Sequence, residues 1–256
     1  MKPEIIAVYK EFLDEDHIIE RADIAYRDAK TVLEGRNIEP SEEDIWEFCK
    51  VLVNYREGKL LDISSRLRFC LSGYFISAMT NNLMERKDTE LALPLQNVGG
   101  FLEGVCYGLS RGKVICLGGS LQDFGAGQMG GDAILTGSAS GSVGRGKHGG
   151  LLEIKGNSWT KTGACGDGGI IKVGLDCGDS TGYEAGAGLE IYVGRDCRNL
   201  TGQYNRGAKI TAGRYMGSDT GEYMTDGELR AGRIRSISPE MRGGKAFERR
   251  RPWWNL

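Results

Sequence analysis

The chain has 256 residues, with 33 basic against 35 acidic side chains, a net charge of −2 and 40% hydrophobic residues. That balance excludes a disordered polyelectrolyte, and with no basic face repeated along the chain it argues against nucleic acid as a partner. No window approaches the roughly 18 apolar residues of a membrane span, and MKPEIIAVYKEFLDEDH carries no run of signal-peptide length, so no membrane is expected and the expected address is cytoplasmic.

Residues 3 to 92 carry apolar residues at helical spacing. Ile5, Ile6, Val8, Tyr9 and Phe12 mark a first helix, and Ile18 to Leu33 a second that Gly35 is placed to stop. Ser41 is an N-cap, with acids at 42 to 44 at the positive end of the dipole, for a third helix with the face Ile45, Phe48, Cys49, Leu52 and Tyr55. A fourth, about 60 to 86, is apolar over much of its circumference and is therefore expected at the centre of the unit. Leu93, Pro94 and Leu95 join this unit to a glycine-rich region, with the first coil expected near Val98 to Cys106.

From Gly112 to Gly232 one phrase recurs. Strand centres at Ile115, Ile134, Leu152, Ile171, Ile191, Ile210 and Leu229 are separated by 19, 18, 19, 20, 19 and 19 residues. Two residues on come Leu117, Thr136, Ile154, Val173, Val193, Ala212 and Ala231, so each strand is expected to turn both positions inward. A glycine follows each strand (Gly118, Gly137, Gly156, Gly174, Gly194, Gly213), and a second comes seven or eight residues later (Gly125, Gly144, Gly163, Gly182, Gly202, Gly221), expected to turn corners through positive φ. Cys177, Cys197 and Met216 form a sulfur column of core type, and Thr162, Thr181, Thr201 and Thr220 are placed for a hydroxyl ladder. Coils this short leave no room for a helix in each turn, so the strands must stack in parallel. The expected fold is α+β: about four helices, then a single-stranded parallel β-helix of about seven coils. The expected domains are 1–95, a helical cap or docking unit that covers the exposed strand edge; 96–237, the β-helix; and 238–256, a basic, tryptophan-containing tail.

That tail belongs to a basic run, Arg230, Arg233, Arg235, Arg242, Lys245, Arg249, Arg250 and Arg251 against Glu240 and Glu248, ending in Pro252, Trp253 and Trp254. Paired tryptophans and arginines anchor protein interfaces, so Arg249, Arg250, Arg251, Trp253 and Trp254 are the expected partner contacts.

Motifs that carry chemistry are thin. Seven cysteines show no CxxC or CxxH pair, so they are expected to be reduced and mostly buried, without a disulfide framework, zinc or iron–sulfur site. Gly108-Leu-Ser110-Arg-Gly112 has nucleophile-elbow spacing, but only His17 and His148 exist as bases and Ser110 leads into a solenoid strand. Gly125-Ala-Gly127-Gln-Met-Gly130 fits GxGxxG yet opens a strand, and Asp132, Asp176 and Asp196 lie outside any calcium nonapeptide frame. Arg145, Lys147 and His148 make one basic corner, expected to be solvated. Asp176 and Asp196 are the only acids in equivalent positions on adjacent coils.

The glycine pattern of residues 98 to 235, seen at Gly156, Gly163 and Gly166 and again at Gly174, Gly182 and Gly186, resembles the right-handed β-helix shared by the C-terminal domain of the glutamate synthase large subunit and the β-helical subunit of formylmethanofuran dehydrogenase. The resemblance implies a right-handed solenoid acting as a non-catalytic scaffold, with no catalytic residue, metal or cofactor on its own chain. Its partners would be oxidoreductase subunits, which carry flavin, iron–sulfur or molybdenum or tungsten, or further copies of itself. The helical unit has no counterpart in that family. The alternative is an enzyme with its site in the groove between the helices and the first coils, where Asp176, Asp196 and His148 are the first residues to test.

Overall fold

The computed structural model describes residues 1–14, 22–54, 66–96, 98 and 102–249. Four helices come first: α1 (Pro3–Asp14), α2 (Ala22–Gly35), α3 (Glu42–Asn54) and α4 (Arg66–Arg86). Helix α3 begins as a capping box: the Asp44 amide donates to Ser41 Oγ (3.2 Å), and the Ser41 amide donates back to Asp44 Oδ2 (3.0 Å). Tyr9, Phe12, Phe48 and Phe75 pack ring to ring, with Tyr9 and Phe48 4.8 Å apart. Helix α4 is buried on every side from Leu71 to Asn81 and is the central one, as its all-round apolarity predicts.

The strands come next, as β1 (Glu90–Pro94), β2 (Leu102–Glu103), β3 (Lys113–Leu117), β4 (Ser120–Gln122), β5 (Asp132–Leu135), β6 (Ser138–Ser140), β7 (Leu151–Ile154), β8 (Gly168–Val173), β9 (Gly188–Val193), β10 (Asp196–Cys197), β11 (Arg206–Ala212), β12 (Tyr215–Met216), β13 (Asp226–Ala231), β14 (Arg233–Ile234) and β15 (Lys245–Glu248). They wind into a β-solenoid of about eight turns. One long parallel sheet stacks β1, β3, β5, β7, β8, β9, β11, β13 and β15; a second side is built from β2-β4-β6 and β10-β12-β14. The long sheet thus runs one strand beyond the expected seven at each end, through β1 and through Lys245–Glu248 of the basic tail.

Paired positions give the inward column as Val114, Ala133, Leu152, Ile171, Ile191, Ile210 and Leu229. All are fully buried. Ile115 and Ile134, expected inside, face outward instead, and Leu117 and Thr136 are exposed. A period of two sets which residues share a face but not which face is the core, and in β3 and β5 both faces are apolar. The correction also evens the repeat, because the step of 18 residues disappears.

The sulfur column is core, with Cys177, Cys197 and Met216 all buried. The threonines form no axial ladder. Each donates its hydroxyl to the carbonyl three residues back in its own coil, as in Thr201 to Arg198 (3.0 Å) and Thr220 to Gly217 (3.0 Å), which satisfies a buried polar group locally. At this corner alternate residues are left-handed, for example Lys161 (φ +56°), Gly163 (+72°) and Cys165 (+56°). The alternation aims successive amides in opposite directions along the axis: Gly163 donates to Val143 of the preceding coil, and Lys161 and Cys165 to Asp179 and Tyr183 of the following one.

The helices cover the first coil, α3 against β1 and α4 against β2. The described part of this junction is closely packed. A Cβ at Gly73 would stand 2.1 Å from the Glu103 carbonyl oxygen, and one at Gly104 2.0 Å from the Tyr74 ring. Ser77 Oγ donates to the Gly104 carbonyl (2.7 Å) and Asn81 Nδ2 to the Tyr107 carbonyl (2.9 Å).

Candidate functional site

Inward residues at solenoid corners are occupied by packing, so any site must come from outward residues that stack coil over coil. The acid pair singled out in the sequence is such a stack, and it is neutralised. Arg195, one coil on, forks onto Asp176 (Nε to Oδ1, 3.0 Å), and Arg214 forks onto Asp196 in the same way (3.1 and 2.7 Å). The Arg195 guanidinium holds the Asp176 carboxyl below the usual carboxylate range. Two carboxylates each gripped by an arginine pin neighbouring coils together and are poorly placed to exchange protons.

The basic corner divides. Lys147, expected to be solvated, points into the solenoid with no exposed surface; its Nζ donates to Gln128 Oε1 (2.7 Å) and to the Gly149 carbonyl. Gln128 is itself buried and donates to the carbonyls of Gly130, Gly131 and Leu151, so the two side chains satisfy an inner corner that an apolar residue would leave unbonded. His148 remains outside, its Nδ1 2.6 Å from Asp167 Oδ1 on the next coil. Ser110, Met129 and His148 occupy equivalent corner positions, which puts Ser110 two coils, about 10 Å, from the imidazole. No Ser–His pair is formed there. The GxGxxG segment is a corner, with Gly125 and Gly127 at positive φ, and opens onto β5.

At the helix junction Tyr74 donates to Glu103 Oε1 (3.0 Å). Burial raises the Glu103 carboxyl, and burial together with the Glu103 charge raises the Tyr74 phenol. Five of the seven cysteines are buried; exposed Cys165 is pushed up by partial burial and by Glu184, which leaves it a weak nucleophile. Among the described residues no group of three His, Cys, Asp or Glu side chains is placed to hold a metal, and no helix is long and apolar enough to cross a membrane. His17, Arg250, Arg251, Trp253 and Trp254 lie outside the described residues. Arg249 is described and exposed, and its amide donates to the Ala231 carbonyl (2.8 Å).

A row of rings crosses the coils at another corner. Tyr204 stacks on Tyr223 (5.0 Å) and meets Tyr183 edge-on (5.7 Å), while Lys161 and Arg242 cover the outer rings. With its faces occupied, the row is a brace between coils rather than a platform for a ligand. Tyr204 holds this place at φ +55°. Tyr204→Ala is expected to destabilise by about 2 kcal/mol through two lost ring contacts. Tyr204→Gly should cost about 0.5 kcal/mol less, because glycine relieves the left-handed strain; a Tyr204→Ala urea midpoint equal to that of the wild type would contradict the brace, and equal midpoints for the two variants would contradict the strain.

An open feature lies on the outer face of the long sheet. There the first-glycine column, Gly174, Gly194 and Gly213, floors a trough of about 570 Å³ along the solenoid axis. Lys172, Tyr192 and Thr211 form one wall, Arg214 stands on the other side, and Glu153 lies at one end. Tyr192 is held by a hydrogen bond to Glu190 (2.5 Å), and Glu153 is paired with Lys155 (2.5 Å), while Lys172 has no ion pair among the described residues. Toward the helices the same face turns apolar, with Ile115, Leu117, Ile134, Leu151 and Ile170 outward and part exposed. The glycine spacing and the outward Lys172, Tyr192 and Thr211 mark the trough in the sequence, because the phase of β8, β9 and β11 is the expected one. Comparison of the chain with protein-family models, with curated proteins and with solved structures finds no match to any of them.

Proposed function

We propose that this chain is a non-catalytic scaffold subunit that sets the distance and orientation of partner subunits, in an oxidoreductase assembly of the glutamate synthase or formylmethanofuran dehydrogenase kind. The observation that carries the scaffold role is how its surface groups are used. Outward carboxylates and the exposed imidazole are engaged coil to coil, Asp176 by Arg195, Asp196 by Arg214 and His148 by Asp167. The long sheet keeps an unfilled trough and a part-exposed apolar face. A stiff rod whose charges brace its own coils and whose flat face is left open suits holding other proteins better than turning over a substrate. The oxidoreductase setting rests on the glycine-pattern resemblance, and the cofactors would belong to the partners.

The test is gentle purification of the tagged protein from its source, followed by mass spectrometry and assays for flavin, iron, molybdenum and tungsten. Stoichiometric recovery of oxidoreductase subunits, with cofactors that follow them, is the expected result. Recovery of this chain with no other protein would overturn it.

A further inference from the structure

We infer that a notch on the second side of the solenoid, between the Trp159 indole and the Arg198 guanidinium, binds a small planar aromatic anion whose ring is sandwiched between the two side chains. This site is independent of the scaffold reading.

Trp159, Gly178 and Arg198 occupy the same outward position on three successive coils. Cys177 pairs with Cys197, which sets Gly178 beside Arg198, and the Gly178 amide donates to the Trp159 carbonyl (2.9 Å). Trp159 and Arg198 are therefore two coils, about 9.6 Å, apart, and Gly178 puts no side chain between them. A Cβ at Gly178 would stand 2.8 Å from the Trp159 carbonyl carbon, so the close approach of the coils keeps this position a glycine. The result is a notch of about 170 Å³ lined by Asn157, Trp159, Asp176, Gly178 and Arg198. Trp159 is 57% exposed, and among the described residues neither a ring nor a cation covers its face.

The tyrosine row is the same arrangement with every place filled. Tyr204, Tyr223 and Arg242 follow one another coil by coil, the two rings 5.0 Å apart and the guanidinium 5.1 Å from the second ring, about one coil at each step. That order is ring, ring, cation. Trp159, Gly178 and Arg198 give ring, glycine, cation at the same spacing. A guest ring centred about 5 Å from the indole also stands about 5 Å from the guanidinium, within range of both stacking and cation–π attraction. Only a flat ring meets both neighbours at that separation.

The groups with spare capacity at the rim are donors. Arg195 already grips Asp176 (Nε to Oδ1, 3.0 Å), and Asp179 alongside accepts the Asn199 amide (2.9 Å). Asn157 Oδ1 accepts the Asp176 amide (3.1 Å), which leaves the Asn157 Nδ2 hydrogens for a guest. Arg198 is exposed and has no ion pair among the described residues. An uncharged ring would use stacking alone. A carboxylate or phosphate on the guest adds a charge-assisted hydrogen bond from the edge of the guanidinium, which stays free while its face covers the ring. The ligand class is therefore a planar ring with an anionic substituent, as in an aromatic carboxylate or a mononucleotide.

The tryptophan indole N–H resonances of the full chain, followed by heteronuclear NMR, test this, with the Trp159 signal assigned by its loss in Trp159→Ala. Benzoate is expected to move that signal with a Kd of about 1 mM. Cyclohexanecarboxylate has the same charge and no flat face, and benzamide the same ring and no charge; each should bind about 10-fold more weakly. Adenosine monophosphate against adenosine repeats the charge comparison. A Kd for the monophosphate about 10-fold below that of benzoate identifies a nucleotide as the guest, and a Kd near or above it an aromatic carboxylate. Arg198→Ala should weaken benzoate binding about 10-fold. The replaced side chain is exposed, and thermal melts check that the variant is folded. Trp46 is the control: it is 38% exposed, but Lys50 Nζ lies 3.7 Å from its ring centroid, so its signal should stay still. The proposal is overturned if Trp159 does not move at about 20 mM benzoate or adenosine monophosphate. Equal movement of Trp46 and Trp159, or a benzoate Kd matched by cyclohexanecarboxylate or unchanged in Arg198→Ala, would overturn it as well.

Discussion

Gly194→Ala is expected to destabilise the solenoid by about 3 kcal/mol, against about 1 kcal/mol for Gly146→Ala. The two glycines serve different ends. Gly146 is left-handed at φ +63°, and a Cβ there would meet nothing within 4 Å, so alanine suffers only the backbone strain. Gly194 is not left-handed, yet its Cβ would stand 2.2 Å from the carbonyl oxygen of Gly174 and 3.0 Å from its carbonyl carbon. The same holds up the column, where Gly174 approaches the Lys155 carbonyl (2.3 Å) and Gly213 the Gly194 carbonyl (2.1 Å). Backbone cannot lean aside as a flexible side chain can, because the Gly194 amide is bonded to the Val173 carbonyl (2.8 Å) in the ladder that joins the coils. Urea unfolding of the two variants checks the ranking; a Gly194→Ala midpoint at or above that of Gly146→Ala would show that the coils can spread at no cost.

That contrast shows how much of the molecule is legible in its residues. The glycine spacing announces a solenoid, and the four helices, the Ser41 cap and the buried sulfur column follow from patterns within single elements. The reason for the first-glycine column is not legible: the sequence suggests positive φ, but the constraint at Gly137 through Gly213 is a neighbouring coil's backbone, which no local pattern carries. Strand phase failed in β3 and β5 for a related reason. Val114 and Ile115 are equally apolar, and only pairing with Ala133 and Leu152 settles which lies inside. The charged candidates show the same limit. Asp176 and Asp196 are recognisable as a stack, but Arg195 and Arg214 become their partners only once the coils are in register, and Lys147 looks like a surface residue until the corner is seen to turn it inward.

Lys147 gives the second large effect. Burial lowers its ammonium from 10.5 to about 7, opposed by the attraction of Asp132, and no carboxylate forms an ion pair with it among the described residues. Its folded value is therefore below its unfolded one. Between pH 7 and 10.5 the unfolded chain binds the extra proton, so stability rises with pH across that window, and below pH 7 the full penalty of holding a buried ammonium remains. Lys147→Met fills the same space without a charge and abolishes this dependence. Each pK unit corresponds to about 1.4 kcal/mol, so the stability gained by the variant over wild type should shrink by about 3 kcal/mol between pH 6 and pH 9.5. The methionine leaves Gln128 Oε1 without its donor, and the paired change Gln128→Leu with Lys147→Met further strips the carbonyls of Gly130, Gly131 and Leu151 of theirs, so the paired variant should be less stable than Lys147→Met alone at both pH values. Guanidinium unfolding of the three proteins at both pH values reads the difference directly. A gap between wild type and Lys147→Met that stays constant with pH would mean that the ammonium keeps an ordinary affinity for its proton inside the solenoid, with the corner open enough to hydrate it.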